Sequence, residues 1–386
     1  MRKAERSLEI SRSVRCAWRE PHAHKTFATG VSLHSHTLHS RETLDFIPRV
    51  LRAVGPAHAA LEALEARHRR KTGKSIPFER AFWRPPLHPH AAYDLEVAQI
   101  RSLGLEPLVS ITDHDSVESC AELDTIGIHV PYSTEWSIPY HGTVFHVGVH
   151  NLPAEQARAF ESDMAAITAA PRSERIQELL AALSRFEQVL LILNHPFSCE
   201  GRVAQAHHVE LLQRFLEECC GWIHAFELNG LQPLSHNLDT IRLADEWGVP
   251  VISGGDRHCC EPNANLNLTN ARTFGEFVSE IRVEQRSSVL FMPQYRDPIP
   301  ARYIEFMWHA VRDYPDFSGR MRWLDRVFFI REKTGENVPI AEEWTTGGPL
   351  VIRAFVAMVG LLASPWMRAV FCSTMGRIGD LEPEVS

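Results

Sequence analysis

Two histidines one residue apart open the part of the sequence that could do chemistry. His34 and His36 end the short apolar run 30–33, which has the composition of a strand. In a strand, side chains at positions i and i+2 point to the same face, so the two imidazoles would project together. Neutral imidazoles are good ligands for zinc, manganese and iron. One His-x-His pair is weak evidence, so the case for a metal site depends on the rest of the chain.

The same arrangement, an apolar run followed by a histidine or an acidic residue, recurs along the chain. The residues are Asp113, His114 and Asp115 after the run 108–112, Glu135 after 126–131, His146 within 143–149, His195 after 189–193, and Asp256, Arg257 and His258 after 251–253. Helical patterns separate most of these runs. Alternating strands and helices predict parallel βα units and a closed barrel, whose active site lies at the carboxyl ends of the strands.

Composition narrows the class of protein. The chain has 386 residues, 44% hydrophobic and 23% charged, which is typical of a globular protein with a sizeable core. A net charge of −8 argues against a general nucleic-acid binder.

The 8 cysteines form no C-x-x-C pair, which predicts reduced thiols and excludes a disulfide framework. The first 20 residues have no apolar signal segment, so we expect a cytoplasmic location. The chain has 21 histidines, an unusually high number, and histidine is the commonest metal ligand and a near-neutral acid or base, so a functional role is expected for some of them.

The order of these motifs resembles the PHP family, named for polymerase-associated and histidinol-phosphatase domains. The matching segments, within about residues 30–292, are His34-Ser35-His36, Thr112-Asp113-His114-Asp115, Glu135, His146, Asn194-His195-Pro196 and Gly255-Asp256-Arg257-His258. The resemblance implies an α/β fold, a distorted seven-stranded (β/α) TIM-like barrel. It also implies a metal-dependent phosphoesterase with two or three divalent ions, manganese, iron or zinc.

The resemblance further implies how the ligands are shared. One metal would be held by His34, His36, Glu135 and Asp256. Glu135 would bridge to a second metal, held also by His146 and His195, and the third would be held by His114 and His258.

The remaining ligand of the third metal falls just after the first motif. The family commonly has Asp or His there, whereas this sequence has Arg41 at one usual spacing and Glu42 at the other. We favour Glu42 over His39 as this ligand. Ser32 is a second departure, since many members have Asp at that position.

Three residues beside the expected ligands are candidates for catalysis. Asp113 or Asp115 could transfer a proton, while the alternative for Asp113 is to support His114 by a hydrogen bond. Arg257 could bind a phosphate bidentately, or it could form a salt bridge at the barrel rim. For Glu227, at the end of another apolar run, a structural role is expected rather than contact with substrate.

The sequence divides into three parts. We expect an N-terminal leader at 1–29, a barrel domain at 30–292 with an insertion at about 55–90, and a helical C-terminal extension at 293–386. The insertion carries a basic run at 67–71, which indicates a solvated face or a lid that brings positive charge to an anionic substrate.

The most apolar stretch of the extension is 350–371. Arg353 and Pro365 interrupt it, so we expect no transmembrane span. A helix packed on the barrel or in a homo-oligomer interface is favoured over an interfacial membrane helix.

These observations predict hydrolysis of a small phosphorylated substrate, of nucleotide or sugar phosphate type, by a metal-activated hydroxide. One alternative is a nuclease that trims nucleic-acid ends, although the acidic chain argues against a long nucleic-acid footprint. The other is a non-catalytic PHP scaffold, against which the nearly full set of ligand types counts.

Overall fold

The computed structural model describes only part of the chain, and the contacts in the chain define two compact units. The first comprises residues 1–39 and 88–295, and the second comprises 40–87 and 296–386. The described residues are 13–44, 59, 62–63, 65–67, 69–70, 73, 80–201, 203–315, 317, 322–331, 334–345 and 348–379. Much of the predicted insertion at 55–90 lies outside them.

Fifteen strands are present in the described residues. In chain order they are β1 Val14–Cys16, β2 Thr29–Ser32, β3 Glu42–Thr43, β4 Ala81–Trp83, β5 Glu106–Val109, β6 Tyr132–Tyr140, β7 Thr143–Leu152, β8 Leu190–Asn194, β9 Glu200–Gly201, β10 Ala225–Asn229, β11 Val251–Gly254, β12 Asn265–Thr269, β13 Val289–Phe291, β14 Val327–Ile330 and β15 Asn337–Pro339.

The α-helices follow the strands in a mixed α/β order. They are α1 Pro89–Ser102, α2 Glu118–Thr125, α3 Ala157–Ala169, α4 Ser173–Ser184, α5 Gln205–Cys219, α6 Leu234–Trp247, α7 Phe274–Arg282, α8 Ile299–Val311, α9 Trp323–Arg326, α10 Leu350–Leu362 and α11 Pro365–Met375. Local signals explain several of their ends. Thr273 caps α7 by accepting from the backbone N–H of Glu276, and Gly248 ends α6 in the left-handed conformation.

The first unit contains two sheets. Their strand orders are β1-β13-β12-β2-β5 and β11-β10-β8-β7-β6, with β9 paired to β7. Strands β2 and β5, β8 and β10, and β10 and β11 pair in parallel, as the βα alternation predicts. The pairs β6–β7, β7–β8, β2–β12 and β12–β13 are antiparallel, so the expectation of uniform parallel units is wrong for about half of the ladders.

Among the described residues the two sheets do not form one closed ring of ladders, so the predicted TIM-like barrel is not confirmed. Isolated bridges do connect their edges near the carboxyl ends of strands: Ser35 pairs with Arg257, and His114 pairs with Glu135. These bridges bring together the segments that carry the expected metal ligands.

Three expectations about elements in the first unit require correction. The segment 126–131, expected as a strand, is a turn and loop, and the strand begins at Tyr132. Gly127 has a φ of 79°, which is a turn conformation. Strand β12 was not predicted from the sequence. Its residues Asn265 and Asn267 are unusual in a buried strand, so the segment does not show the apolar pattern of the other strands. Strand β1, within the expected leader, pairs with β13.

A continuous apolar core supports the sheets of the first unit. Val31 and Leu33 meet Ile192, Ala225 and Ile252, all nearly inaccessible to solvent. Helix α7 closes this core with Phe277, Val278 and Ile281. The apolar runs of the sequence are therefore buried strands, and the ends of these strands are rigid platforms for the polar residues that follow.

The second unit contains a four-stranded sheet in the order β15-β14-β4-β3. The expectation of a purely helical extension is therefore incomplete, because β14 and β15 form an antiparallel pair. The apolar stretch at 350–371 is two helices, α10 and α11, which meet at an angle of 66°. Pro365 lies in the first turn of α11, where a proline starts a helix. In the described residues no single helix is long and apolar enough to cross a membrane.

Candidate metal centre

The first motif lies directly beyond β2. Because residues 33–36 continue beside the segment that follows β11, His36 donates its backbone N–H to the carbonyl oxygen of Arg257 at 2.7 Å. The rings of His34 and His36 then converge, with their Nε2 atoms 3.0 Å apart. Both side chains are almost fully buried. The extended i, i+2 geometry predicted from the sequence therefore brings the two imidazoles together.

Glu135 lies at the centre of the cluster. It is in the middle of β6, and the backbone N–H of Asp115 donates to its carbonyl oxygen at 2.9 Å, which fixes the strand beside the segment after β5. One carboxylate oxygen lies 3.0 Å from His34 Nε2 and 3.4 Å from His114 Nδ1. The other lies 3.1 Å from His195 Nε2 and 3.4 Å from His146 Nδ1. The first of these oxygens also lies 3.4 Å from His36 Nε2. The two oxygens thus contact separate sets of imidazoles, three and two in number, which is the arrangement a bridging carboxylate requires.

The ligand atoms fall into overlapping groups that could each hold an ion. In each group, one ligand atom of every member lies within 4.8 Å of the others: His34, His36 and Asp256; His34, Glu135 and His195; His114, Glu135 and His146; and His36, His114 and His258. Nearly all of these side chains are buried. The structure therefore brings together the eight predicted metal ligands that belong to the first unit.

Unusual backbone conformations occur at two of these ligands and at Asp115. Asp115, His195 and Asp256 have φ values of 52°, 27° and 54°. Residues other than glycine rarely adopt positive φ, and they do so where surrounding contacts impose it, commonly at functional sites. Each of the three follows a strand end, so the reversal of the chain turns its side chain toward the cluster.

A further acidic residue supports the ligands from behind. Glu227, in β10, places one oxygen 2.6 Å from His34 Nδ1 and accepts the backbone N–H of His195 at 2.8 Å with the other. Asn194 acts on Glu135 in a similar way, donating from Nδ2 at 2.9 Å. The sequence reading gave Glu227 only a structural role at a strand end, although it follows the same pattern of apolar run and acidic residue as the ligands.

The electrostatics of the metal-free cluster follow from these contacts. Burial opposes charge on the imidazoles of His34 and His195, but the facing carboxylates, Glu135 foremost, outweigh it. The pKa of His34 is raised well above its ordinary value, and that of His195 is raised to about 9. Burial likewise favours neutral carboxyls, yet the surrounding imidazoles hold the pKa of Glu135 and of Asp256 well below the usual range. Without metal, protons occupy positions that cations could take.

The candidate catalytic residues have different surroundings. The Asp113 carboxylate is completely buried and accepts from the Thr37 backbone N–H at 2.5 Å, from Thr37 Oγ1 at 2.8 Å and from Ser119 Oγ. It therefore anchors the segment that carries His34 and His36. Neither of the two roles weighed for Asp113, proton transfer and support of the His114 ring, matches these partners.

Asp115 and Arg257 remain beside the cluster. One oxygen of Asp115 accepts the Ser137 backbone N–H at 2.8 Å, and burial raises the pKa of its carboxyl despite the nearby imidazoles of His114 and His146. Arg257 is buried, and its Nε lies 2.9 Å from Glu96 Oε1, so the structure shows the salt bridge that was the alternative to phosphate binding.

The two alternatives for the last ligand of the third metal are also placed. His39 pairs with Glu122 of α2 at 2.9 Å and stays partly exposed. Glu42 lies in β3, in the second unit, and is buried. The preference for Glu42 stays a prediction.

The donor set fits divalent metal ions. In the first unit, six imidazoles and two carboxylates converge, nearly all of them buried, a combination typical of zinc, manganese and iron sites. The Nδ1 of His34 faces a carboxylate while its Nε2 faces the cluster, which is the usual orientation of a metal-bound histidine.

Comparisons with known proteins give only distant similarities. No family model and no curated protein matches the chain. Among solved structures, an amidohydrolase from Chromobacterium violaceum with bound sulfate has 14% identity and a TM-score of 0.32, over 46% of this chain and 84% of that chain. A putative metal-dependent phosphoesterase from Bifidobacterium adolescentis has 15% identity and a TM-score of 0.30, over 51% and 91%. PsfC from Pseudomonas syringae has 15% identity and a TM-score of 0.32, over 69% and 93%. These values are too low to assign a family or an activity.

Proposed function

We propose that the chain is a metal-dependent phosphoric ester hydrolase that acts on a small phosphorylated substrate. The observation that carries this proposal is Glu135, whose two oxygens contact separate sets of imidazoles, nearly all of them buried. A carboxylate in this position is suited to be a ligand that two cations share. Such paired cations would neutralise phosphate charge and lower the pKa of a water molecule, which is the chemistry phosphoester hydrolysis requires.

The residues of the chain would then have defined tasks. His34, His36 and Asp256 would hold one ion with Glu135, and His146 and His195 would hold a second on the other oxygen. Asp115 is the remaining candidate for proton transfer, because its carboxyl lies near two of the ligand histidines and burial raises its pKa. Its carboxyl group would accept or return a proton at the substrate.

The finer assignments are part of the same proposal. We propose PHP membership, with the two sheets of the first unit as a distorted barrel, because the motif order agrees with that family and most of the ligands follow strand ends. A third ion at His114 and His258, with Glu42 as its further ligand, is proposed with it. The net charge of −8 favours a small phosphorylated molecule over long nucleic acid, and the free thiols of all eight cysteines suit the cytoplasm. Contact between copies through α10 and α11 is proposed from their apolar composition.

Metal analysis and hydrolysis assays test this function together. The protein, purified without chelators or a histidine tag, should contain two or three equivalents of manganese, iron or zinc. It should hydrolyse an aryl phosphate, and a chelator should abolish the activity until metal is restored. Activity on mononucleotides and sugar phosphates, rather than on oligonucleotides, would separate the proposed function from a nuclease. A chain that binds metal but hydrolyses no phosphate ester with any of the three metals would refute it.

Glu135→Gln is the sharpest variant for this test. The amide keeps the shape of the side chain but removes the negative charge that two cations would share. We expect at least one equivalent of metal to be lost and kcat to fall by about 100-fold or more, because the bridging contact acts on both ions. The Glu118→Gln variant is the control, since the Glu118 side chain is 44% exposed and pairs with the surface residue Arg158. Turnover near wild type in Glu135→Gln would contradict the bridging role.

A further inference from the structure

We propose that Glu227 is a positioning residue of the metal centre, which fixes the tautomer of His34 and the backbone of His195, and that Gly254 is glycine to leave room for its carboxylate. The inference rests on the proposed metal-dependent function and extends it to residues outside the ligand set.

The contacts of Glu227 come from donors on three different segments. Its Oε1 lies 2.6 Å from His34 Nδ1, while Oε2 accepts the His195 backbone N–H at 2.8 Å and lies 3.4 Å from Asn229 Nδ2. The side chain is only 2% exposed, so water does not compete for these bonds. One buried carboxylate therefore joins the segment after β2, the end of β8 and β10 at the back of the cluster.

These contacts decide which nitrogen of His34 is available. A carboxylate oxygen accepts the proton of His34 Nδ1, so the neutral form of His34 keeps its proton on Nδ1 and has its lone pair on Nε2. That Nε2 is the atom that faces the cluster, 3.0 Å from Glu135 Oε2 and 3.0 Å from His36 Nε2. A metal ion requires this lone pair. Glu227 thus presents His34 in the one tautomer that can bind metal.

Gly254 lies against this carboxylate, and the absence of a side chain there provides the space that the carboxylate occupies. A Cβ built on Gly254, the last residue of β11, would overlap the carboxyl group of Glu227. Gly254 is not among the glycines with positive φ, so its backbone does not demand glycine. The requirement for glycine comes instead from the close approach of the Glu227 side chain.

The substitution Glu227→Gln distinguishes positioning from mere packing. The amide has the same shape, but it has one acceptor atom and one NH₂ donor. Since every partner of Glu227 is a donor, the NH₂ group must either face the His195 N–H or face His34 Nδ1. The first arrangement displaces the ligand segment, and the second favours the wrong tautomer of His34. Gly254→Ala displaces the Glu227 carboxylate with a methyl group and substitutes none of the ligand residues.

The experiment titrates Mn²⁺ into metal-free wild type, Glu227→Gln, Gly254→Ala and a control by calorimetry. The control is Gly275→Ala, an exposed helical site where a Cβ has its nearest neighbour at 4.0 Å. We expect Mn²⁺ affinity at one site or more to fall by about 10- to 100-fold in both test variants and to be unchanged in the control. Titration with Co²⁺ should also alter the visible spectrum in both test variants, because the geometry at His34 changes.

The readouts separate this inference from the proposed function. A variant that only packs poorly would lower the folded fraction and the metal-free unfolding temperature, while the folded molecules would keep wild-type affinity and Co²⁺ spectrum. Wild-type affinities and spectra in Glu227→Gln and Gly254→Ala would overturn the positioning role, as would a wild-type protein that binds neither ion. A wild type that binds Mn²⁺ but hydrolyses no phosphate ester would refute the phosphoesterase alone, since the titration measures positioning without turnover.

Discussion

Asp113 and Asp115 flank one ligand histidine, yet the structure gives the two carboxylates different partners. Both acceptor oxygens of Asp113 are used by Thr37 and Ser119, behind the cluster. Asp115 uses one oxygen for the Ser137 N–H and lies near His114 and His146. Spacing in the sequence cannot separate them, because both are one residue from His114. The difference arises from the left-handed conformation of Asp115, which turns the chain between the two side chains.

This difference predicts opposite effects of the two amide variants. Asp113→Asn should lower the free energy of unfolding by about 2–4 kcal/mol, because an NH₂ donor replaces one of the two buried oxygens that accept from Thr37 and Ser119. The kcat of the folded, metal-loaded protein should fall little. Asp115→Asn should lower kcat by about 100-fold with a smaller loss of stability, because it removes a proton-transfer group. Denaturant unfolding and kcat of each variant test this. A kcat loss in Asp113→Asn that exceeds the loss in Asp115→Asn would reverse the assignment.

At the scale of elements, the sequence predicted the parallel strands better than the antiparallel hairpin of β6 and β7. The buried runs before His34, His195 and Asp256 are strands as expected, because continuous apolar runs bounded by turn residues are a strong local signal. Glu135 was expected after a strand and lies in the middle of β6. The pairing of β6 with β7 depends on contacts between segments, which periodicity does not encode. The same limit explains why β12, with its asparagines, was missed.

The contact between α7 and the segment after α4 gives a prediction at this scale. Arg282, in the last turn of α7, donates to the carbonyl oxygens of Phe186 at 2.5 Å and Val189 at 2.6 Å and, through its other terminal nitrogen, to that of Ser184 at 2.9 Å. It thus joins the carbonyl of Ser184, the last residue of α4, to two carbonyls of the segment that follows. Arg282→Met should destabilise the protein by about 2–4 kcal/mol, because these carbonyls lose the hydrogen bonds from the guanidinium group.

Arg286→Met is the matched control for this prediction. Arg286 lies four residues later, is 65% exposed and contacts Glu280 and Glu284 on the surface. Surface ion pairs contribute about 0–1 kcal/mol, so the control should change stability little. Denaturant midpoints of both variants decide the matter. Equal effects of the two substitutions would show that the carbonyl contacts of Arg282 do not stabilise the junction.

At the scale of the whole molecule, folding and metal binding depend on the same protons. Glu135 overcomes the effect of burial and raises the pKa of His195 to about 9 in the folded, metal-free chain, against about 6.5 for an unperturbed histidine. The folded state therefore binds this proton more tightly than the unfolded state does. The resulting stabilisation is complete below pH 6.5 or so and is lost as the pH rises to about 9. His34, whose pKa is also raised, acts in the same direction.

Metal ions require the neutral form of the same imidazoles, so their effect on stability has the opposite pH dependence. We expect the unfolding temperature of the metal-free protein to fall between about pH 6.5 and 9, while the increase on adding Mn²⁺ grows over that interval, because binding to the folded state alone stabilises it. Thermal unfolding with and without Mn²⁺ at each pH measures both curves. His129→Gln is the control, since the His129 side chain is 80% exposed and pairs with Asp124 at the surface. A metal-free curve that is flat across this interval, with a pH-independent Mn²⁺ shift, would mean that the buried imidazoles of the cluster do not hold the protons that metal displaces.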